Sequence, residues 1–314
     1  MGATRNMKKK ISVIIPVYYN AAGLPSLFSR LESLEENLLL KNCSLELIFV
    51  DDGSQDSSLN LLLKFKEKRS ETKVVKLTRN FGAVKCSKVG LKFVTGDAFV
   101  ILAADLQDPP ELILDMYEKW LSGAKFVICE RNSRDDPFFS KLFARIYYKL
   151  VRMLVIKNYP KGGYDLALMD KDLLPYFLDS SKSAVPSLLG FWLGFKPEII
   201  PYHRELRKYD KSKWTFSKKL TLFLDVMLGF SITPIRAISL VGFFVAILSF
   251  GYGGSVVIGG LMNKIPIQGY ATIVALITFL LGLIIIMLGF ISEYLWRIFN
   301  EINKRPEAVI EKFW

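Results

Sequence analysis

Residues 100–110 read VILAADLQDPP, and the fold can be worked out from this stretch. A run of apolar side chains gives way to a carboxylate at Asp105, and two prolines follow at residues 109 and 110. A short continuous apolar run indicates a strand that is buried on both faces, as in a parallel sheet covered by helices. Ligands bind beyond the carboxyl ends of such strands, so Asp105 lies where a binding site is expected, although an Asp at a strand end is by itself usually a turn former.

The rest of the N-terminal half alternates in the same way. Strand-like runs are ISVIIPV (11–17), LELIFV (45–50), KVVKL (73–77), AFVIL (98–102) and AKFVIC (124–129). Segments with helical spacing lie between them, near residues 23–40, 56–68, 83–94 and 109–121. This alternation predicts an α/β fold with a Rossmann-like, mostly parallel sheet.

The residues that follow each strand should meet at one edge of that sheet. They include carboxylates, amides and arginines, at positions 18–20, 51–54, 78–82, 104–107 and 130–131. Such a mixture suits a nucleotide with its phosphates and metal. The carboxylate of Asp105 and the amide of Gln107 suit Mg²⁺ or Mn²⁺ bridging a diphosphate. We expect Arg79 to contact the nucleotide and Arg131 to contact a diphosphate or an acceptor.

Asp108 has a structural interpretation instead. It stands before Pro109 and three residues before Glu111, which is the pattern of a helix N-cap with a capping box. We therefore predict that Asp108 caps the helix that begins here.

The C-terminal half indicates a membrane protein. Hydrophobic residues make up 51% of the 314 residues, and the mean hydropathy is +0.28. Residues 237–263 and 265–292 contain no charged side chain. As helices each would extend about 40 Å, enough to cross a hydrocarbon core of about 30 Å. The alternative is that the two stretches form a buried helical hairpin in a soluble protein. If they are spans, the basic residues on both outer flanks predict that those flanks lie in the cytoplasm.

A basic and aromatic segment, residues 196–219, precedes the first apolar stretch. With the net charge of +12 it fits either nucleic acid or an anionic membrane surface. A chain tied to the membrane at this point favours the lipid, so we predict no nucleic-acid partner. Small residues in the first span could let copies of the chain associate, although glycine is also common in membrane helices. They are Gly251, Gly253, Gly254, Gly259 and Gly260.

Seven segments together carry a family resemblance. They are VIIPVYYN (13–20), FVDDGSQDSS (49–58), LTRNFGAVKC (77–86), AADLQDPPELI (103–113), YDLALMDK (164–171), RELRKYDKSKW (204–214) and EYLWRIFNEINKRP (293–306). In this order they resemble the inverting family-2 glycosyltransferases of the polyprenyl-phosphate type, the group of bactoprenol glucosyltransferases and dolichol-phosphate mannose synthase. The resemblance implies a GT-A fold that takes a nucleotide-sugar and glycosylates a lipid phosphate at the cytoplasmic face of a bacterial inner membrane.

The resemblance also implies roles for individual residues. Asp52 matches the acidic residue that holds the nucleobase or ribose, with Pro16 and Tyr18 as the wall of that pocket. Asp105 and Gln107 match metal and diphosphate ligands. Asp165 matches the acidic residue near the acceptor that is proposed as a base. The basic motif expected to hold the acceptor phosphate or the donor diphosphate is matched by Arg204, Arg207, Ser212 and Lys213.

The chemistry of the acceptor bears on Asp165. A phosphate monoester has a second pKa of about 6 and is largely dianionic at neutral pH. A strong general base is therefore scarcely needed, and we expect Asp165 mainly to orient the acceptor or to stabilise the sugar's developing positive charge. The structural alternative is a turn or cap beside Gly162 and Gly163. Arg204 and Arg207 could likewise belong to a solvated basic face.

Three departures from the family pattern leave other functions open. Ala103 stands where the family usually has Asp, Ala21 where it has Glu, and Ala167 where it has Arg. These losses favour, as an alternative, a catalytically weak membrane scaffold or nucleotide-binding regulator. A processive polysaccharide synthase is a third candidate, but neither its Gln-x-x-Arg-Trp motif nor its additional spans are found.

The chain is accordingly expected to comprise four parts. These are a cytosolic catalytic domain (1–200), an interfacial segment (201–235), a two-helix transmembrane hairpin (236–296) and a cytosolic C-terminal tail (297–314). UDP-glucose is the expected donor and undecaprenyl phosphate the expected acceptor. GDP-mannose, UDP-N-acetylhexosamine or a modified pentose remain alternatives as donor.

Overall fold

A computed structural model describes residues 8–133, 138–182, 184–205, 216–231, 233–262, 269–303 and 305–314. The chain divides into two compact units, one comprising Met1–Val226 with Arg305–Trp314 and the other Met227–Lys304. The first unit contains the sheet, and the second contains two long helices.

The sheet has eight strands in the order β7-β5-β6-β4-β1-β2-β3-β8. The strands are β1 (Lys9–Val17), β2 (Cys43–Asp51), β3 (Lys73–Leu77), β4 (Ala98–Ile101), β5 (Phe126–Ser133), β6 (Tyr164–Asp170), β7 (Glu198–His203) and β8 (Ile310–Phe313). Among the strands of the described residues, only β6 and β8 run antiparallel to their neighbours. The expected mostly parallel α/β sheet is confirmed.

The helices of the first unit are α1 (Leu24–Leu40), α2 (Ser58–Lys68), α3 (Ala83–Leu91), α4 (Leu112–Leu121), α5 (Phe138–Leu154), α6 (Leu174–Leu178) and α7 (Pro186–Trp192). Helix α8 (Phe216–Phe230) lies within the expected interfacial segment 201–235. Helix α1 shows why these segments are helical. Its buried leucines recur every three or four residues, at 24, 27, 31, 34 and 38, so one face packs into the core.

Strands β6, β7 and β8 were not anticipated, and the last two cross boundaries drawn from the sequence. Strand β6 enters between β4 and β5. Strand β7 continues to His203 because Tyr202 is buried in the core, so residues 201–203 belong to the sheet and not to the interfacial segment. Strand β8 pairs with β3, so residues 305–314 belong to the sheet unit and do not form a separate tail.

The sheet has a topological switch point beside β1. The chain passes from β1 to β2 and β3 on one side and then returns to β4 on the other side. A crevice therefore opens at the carboxyl ends of β1 and β4. Because β6 is antiparallel, its first residues lie at this same edge, as do the last residues of β5 and β7.

The second unit contains α9 (Thr233–Leu261) and α10 (Tyr270–Ile302). The segments Thr233–Gly253 and Phe279–Ile302 are each long and apolar enough to cross a membrane, and neither is buried within the protein. Their exposed large side chains include Phe243, Phe250, Phe279 and Ile285.

Candidate active site

Hydrogen bonds link the loop after β1 to those after β2 and β4. The N–H of Tyr19, which has φ +53°, donates to Oγ of Ser54 at 3.0 Å. The side-chain amide of Asn20 donates to the carbonyl of Ala104 at 3.3 Å. Pro16 and Tyr18, the expected wall of a nucleotide pocket, are both partly exposed beside this crevice.

Asp52 anchors the loop that follows β3. Its side chain is buried, and its two carboxylate oxygens accept the N–H groups of Phe81 at 2.7 Å and Gly82 at 2.9 Å. Gly53 has φ +73°, and a Cβ atom there would lie 2.7 Å from the backbone carbon of Arg79. Only glycine permits this approach of the two loops.

Arg79 is exposed on that loop, and its guanidinium lies over the ring of Phe81, 4.3 Å from the centroid. A cation over an aromatic face is weakly attracted to it. The loop thus offers a guanidinium and an aromatic ring beside Asp52.

Alternate residues of segment 103–108 face the open edge. Ala103 is exposed and Asp105 and Gln107 are partly exposed, whereas Ala104, Leu106 and Asp108 are buried. The N–H of Gln107 donates to the carboxylate of Asp105 at 3.2 Å, and Leu106 between them has φ +59°. The turn therefore presents Asp105 and Gln107 on one side, with Ala103.

The residues of this turn suit a hard divalent cation that arrives with a substrate. Within the described parts of the chain, no three His, Cys, Asp or Glu side chains are grouped to hold a metal ion. Asp105 and Gln107 offer two oxygen donors. Mg²⁺ commonly keeps several waters and binds one or two carboxylates together with substrate phosphates. The donor set fits such an ion and does not fit a cage made by the protein alone.

A charge cluster lies at the same edge, formed by Arg131, Asp165, Arg204 and Asp108. Arg131 lies near the end of β5 and forms an ion pair with Asp165 at the start of β6. Arg204 follows β7, and its Nη2 lies 3.2 Å from Asp165 Oδ2 while its Nε lies 3.6 Å from Asp108 Oδ1. Asp165 is 45% exposed, whereas Arg131 is 4% exposed. Asp165 is therefore the member of the cluster most open to a substrate.

Asp108 does not cap a helix, so the prediction from the capping pattern is wrong. Helix α4 begins at Leu112 without a side-chain cap, and the prolines at 109 and 110 have no N–H for such a cap to bind. Asp108 instead accepts the hydroxyl hydrogen of Tyr202 from β7. Glu111 binds Arg30 and does not complete a capping box.

The cluster shifts the ionisation of its members. Burial, and then the charge of Asp165, raise the pKa of the Asp108 carboxyl to about 6. Burial alone would lower the pKa of the Arg131 guanidinium, but Asp165 and its neighbours hold that pKa above its usual value. Nε of Arg131 and Nε of Arg204 are buried and have no hydrogen-bond partner among the described residues.

The structure places most of the candidate residues at the same edge of the sheet. The residues brought to one edge are Pro16, Tyr18, Asp52, Arg79, Asp105, Gln107, Arg131, Asp165 and Arg204. Arg207, Ser212 and Lys213 lie outside the described residues. Asp108 and Tyr202 were missed as members of the site, and only alternation along EIIPYH could have indicated that Tyr202 faces inward.

Comparisons with known proteins found similarity to one family. The model of Glycosyl transferase family 2 matches residues 12–177. An uncharacterized glycosyltransferase of Synechocystis sp. is 33% identical over 98% of this chain and 96% of its own length. A prophage-derived bactoprenol glucosyl transferase of Shigella flexneri is 30% identical over 96% of this chain and 98% of its own. Among solved structures, glucosyl-3-phosphoglycerate synthase from Mycobacterium tuberculosis superposes with a TM-score of 0.48 at 16% identity, covering 70% of this chain and 80% of that one.

Proposed function

The chain belongs to glycosyl transferase family 2, and from that premise we propose that it transfers glucose from UDP-glucose to undecaprenyl phosphate at the cytoplasmic face of a bacterial inner membrane. It is a glycosyltransferase with the GT-A α/β fold of its family, followed by two long apolar helices. The product would be a lipid-linked monosaccharide for modification of cell-envelope glycans.

The observation that carries the proposal is the charge cluster beside the turn of Asp105 and Gln107. The guanidinium groups of Arg131 and Arg204 lie at one edge of the sheet, and both pair with Asp165. Guanidinium groups bind phosphate through paired hydrogen bonds. The carboxylate of Asp165 lies between them and is half-exposed, so in this proposal it can face the acceptor and the sugar.

The donor is proposed to occupy the crevice between β1 and β4. Pro16 and Tyr18 would form the wall of the base pocket. Asp52 would support the nucleotide through the loop that it anchors, and Arg79 would contact it from that loop. Asp105 and Gln107 would hold Mg²⁺ or Mn²⁺, which neutralises the charge that develops on a leaving diphosphate.

In the proposed reaction a phosphate oxygen of the acceptor attacks the anomeric carbon of the sugar. The new oxygen–carbon bond forms as the bond from that carbon to the nucleoside diphosphate breaks, and the configuration inverts. Arg204 holds the attacking phosphate, assisted by Arg207, Ser212 and Lys213. Asp165 orients the acceptor and stabilises positive charge on the sugar ring. Arg131 holds Asp165 in place, because its buried guanidinium pairs with that carboxylate.

The membrane supplies the acceptor in this proposal. Helices α9 and α10 would span the bilayer. Arg236 lies near the start of α9 and Arg297 near the end of α10, and these basic residues favour a cytoplasmic location of those two helix ends. Similarity to the Shigella flexneri bactoprenol glucosyl transferase supports glucose as the sugar and a polyprenyl carrier as the acceptor.

A screen of nucleotide-sugars tests the donor and the acceptor together. Purified full-length protein in nanodiscs would receive UDP-glucose, GDP-mannose or UDP-N-acetylglucosamine with undecaprenyl phosphate and Mg²⁺ or Mn²⁺. We expect glycolipid with UDP-glucose. Glycolipid with another donor only would correct the sugar, and no glycolipid with retained nucleotide binding would favour a non-catalytic regulator, the alternative that Ala103 supports.

A further inference from the structure

Arg30 lies outside the charge cluster but contacts the segment that carries Arg204. Its guanidinium, on α1, binds Glu111 through Nε to Oε1 at 2.8 Å and through Nη2 to Oε2 at 2.5 Å. The same Nη2 donates to Oε1 of Glu205 at 3.1 Å. One side chain therefore connects α1, the entry to α4 and the chain after β7.

The backbone of Glu205 is held independently. Its N–H donates to the carbonyl of Gln107 at 3.0 Å. Glu205 is thus fixed through its backbone to segment 103–108 and through its side chain to Arg30.

Arg204 lies between two anchored residues. On one side, Tyr202 donates its hydroxyl hydrogen to Asp108. On the other side, Glu205 is held by Gln107 and Arg30. The backbone that carries Arg204 is consequently held on both sides, at residues 202 and 205.

A contribution to stability alone does not explain this arrangement. The side chains of Arg30 and Glu205 are 23% and 28% exposed. Ion pairs with this much solvent contact contribute little to the free energy of folding. Their effect on the direction of a neighbouring side chain can be larger, because small displacements of a binding group strongly reduce the rate.

We propose that Arg30 is a positioning residue that acts through Glu205 to direct the guanidinium of Arg204 toward the acceptor phosphate. The inference rests on the proposed function, in which Arg204 binds that phosphate. Its distinctive consequence is that Arg30 affects use of the acceptor and not use of the donor.

The test uses the full-length chain in nanodiscs with undecaprenyl phosphate. We expect Arg30→Gln and Glu205→Gln each to raise the KM for undecaprenyl phosphate by about 5- to 20-fold, which corresponds to about 1–1.8 kcal/mol. UDP binding, measured by calorimetric titration, should stay unchanged. The double variant should be no worse than the more affected single variant, because both changes break one connection. Arg30→Lys should restore part of the lost acceptor affinity.

Arg69→Gln is the matched control. Arg69 binds Glu35 on the same helix α1 through two hydrogen bonds of 2.8 Å and 2.6 Å, and its side chain is 15% exposed. It also donates to the carbonyl of Leu45, near the amino end of β2 and away from the site. Arg69→Gln should leave both KM values unchanged.

Two results would contradict the inference. In the first, Arg30→Gln changes the KM values for donor and acceptor equally. In the second, Arg30→Gln lowers the melting temperature and leaves both KM values unchanged. Arg204→Gln separates this failure from failure of the proposed function. If Arg204→Gln leaves the acceptor KM normal, the phosphate-binding role of Arg204 is wrong. If Arg204→Gln raises the acceptor KM and Arg30→Gln does not, only the positioning role is wrong.

Discussion

Arg131 pairs with Asp165 across the β5–β6 strand pair, with the guanidinium buried and the carboxylate half-exposed. The buried charge of Arg131 depends on that carboxylate, because a lone charge in the protein interior is strongly unfavourable. Asp165 therefore has two tasks in our proposal, holding Arg131 and facing the acceptor.

Asp165→Asn tests these two tasks. We expect turnover to fall on the order of 100-fold, as for loss of a group acting on the developing charge, while UDP affinity is retained. The melting temperature should also fall, since Arg131 loses its main counterion. Single-turnover kinetics and thermal melting of the same preparation measure the two effects. Loss of donor affinity instead would mean that Asp165 belongs to the nucleotide pocket.

Ala103→Asp tests the proposed metal site. Residue 103 is exposed on the same side of the turn as Asp105 and Gln107, so the variant adds a third oxygen donor there. We expect the Mn²⁺ concentration for half-maximal activity to decrease about tenfold, which corresponds to about 1.4 kcal/mol. Chelation with EDTA should abolish transfer by both proteins.

The matched control for this variant is Ala21→Asp, which adds a carboxylate in the loop after β1. It should leave the Mn²⁺ requirement unchanged. An equal response of both variants would show that added negative charge, and not coordination by residue 103, causes the effect.

The sequence predicts the central sheet well because its strands are continuous apolar runs. Strands β1 to β5 and helices α1 to α4 all lie within a few residues of the expected positions. Strand β8 escaped prediction because it is an exposed edge strand without an apolar pattern. Strand β7 contains Pro201, which weakens its strand pattern.

The sequence could predict a residue of the candidate site only where its position directly after a strand determines where it lies. Residues that follow parallel strands must meet at one edge, which is why Asp52, Asp105 and Arg131 were found. The contact between Asp108 and Tyr202 joins residues 94 positions apart, and the local capping pattern at Asp108 favoured a different interpretation. Such nonlocal contacts are decided by the packed fold.

Tyr202→Phe removes only the hydroxyl group that binds Asp108. We expect the free energy of unfolding to fall by about 1–3 kcal/mol, because a buried carboxylate loses a hydrogen-bond donor. Chemical or thermal unfolding in detergent measures this loss. Tyr117→Phe is the control, since that buried hydroxyl lies 3.4 Å from its acceptor, the carbonyl of Lys41, and should contribute less. Equal losses would contradict a special role for the contact with Asp108.

Glu46 should make stability depend on pH at the other end of the sheet. Its carboxylate accepts hydrogen bonds from Ser12, from Lys73 at 2.8 Å and from Thr95 at 2.7 Å. Burial alone would raise the pKa of Glu46, but these hydrogen bonds outweigh burial and lower that pKa below its ordinary value. A lowered pKa in the folded state stabilises the protein above the pKa of the unfolded chain, about 4.3, and this stabilisation is lost as the pH falls through the folded value.

Glu46→Gln should therefore lower the melting temperature at pH 7 and reduce the free energy of unfolding by about 1–3 kcal/mol. The difference from the unmodified protein should shrink as the pH is lowered from 5 toward the folded pKa, because the carboxyl of the unmodified protein then becomes neutral as well. Glu118→Gln, in an exposed pair with Lys41, is the control and should change stability by less than about 1 kcal/mol at any pH. A Glu46→Gln deficit that stays constant from pH 7 to the acid limit would show that packing, and not the charge of Glu46, supports this end of the sheet.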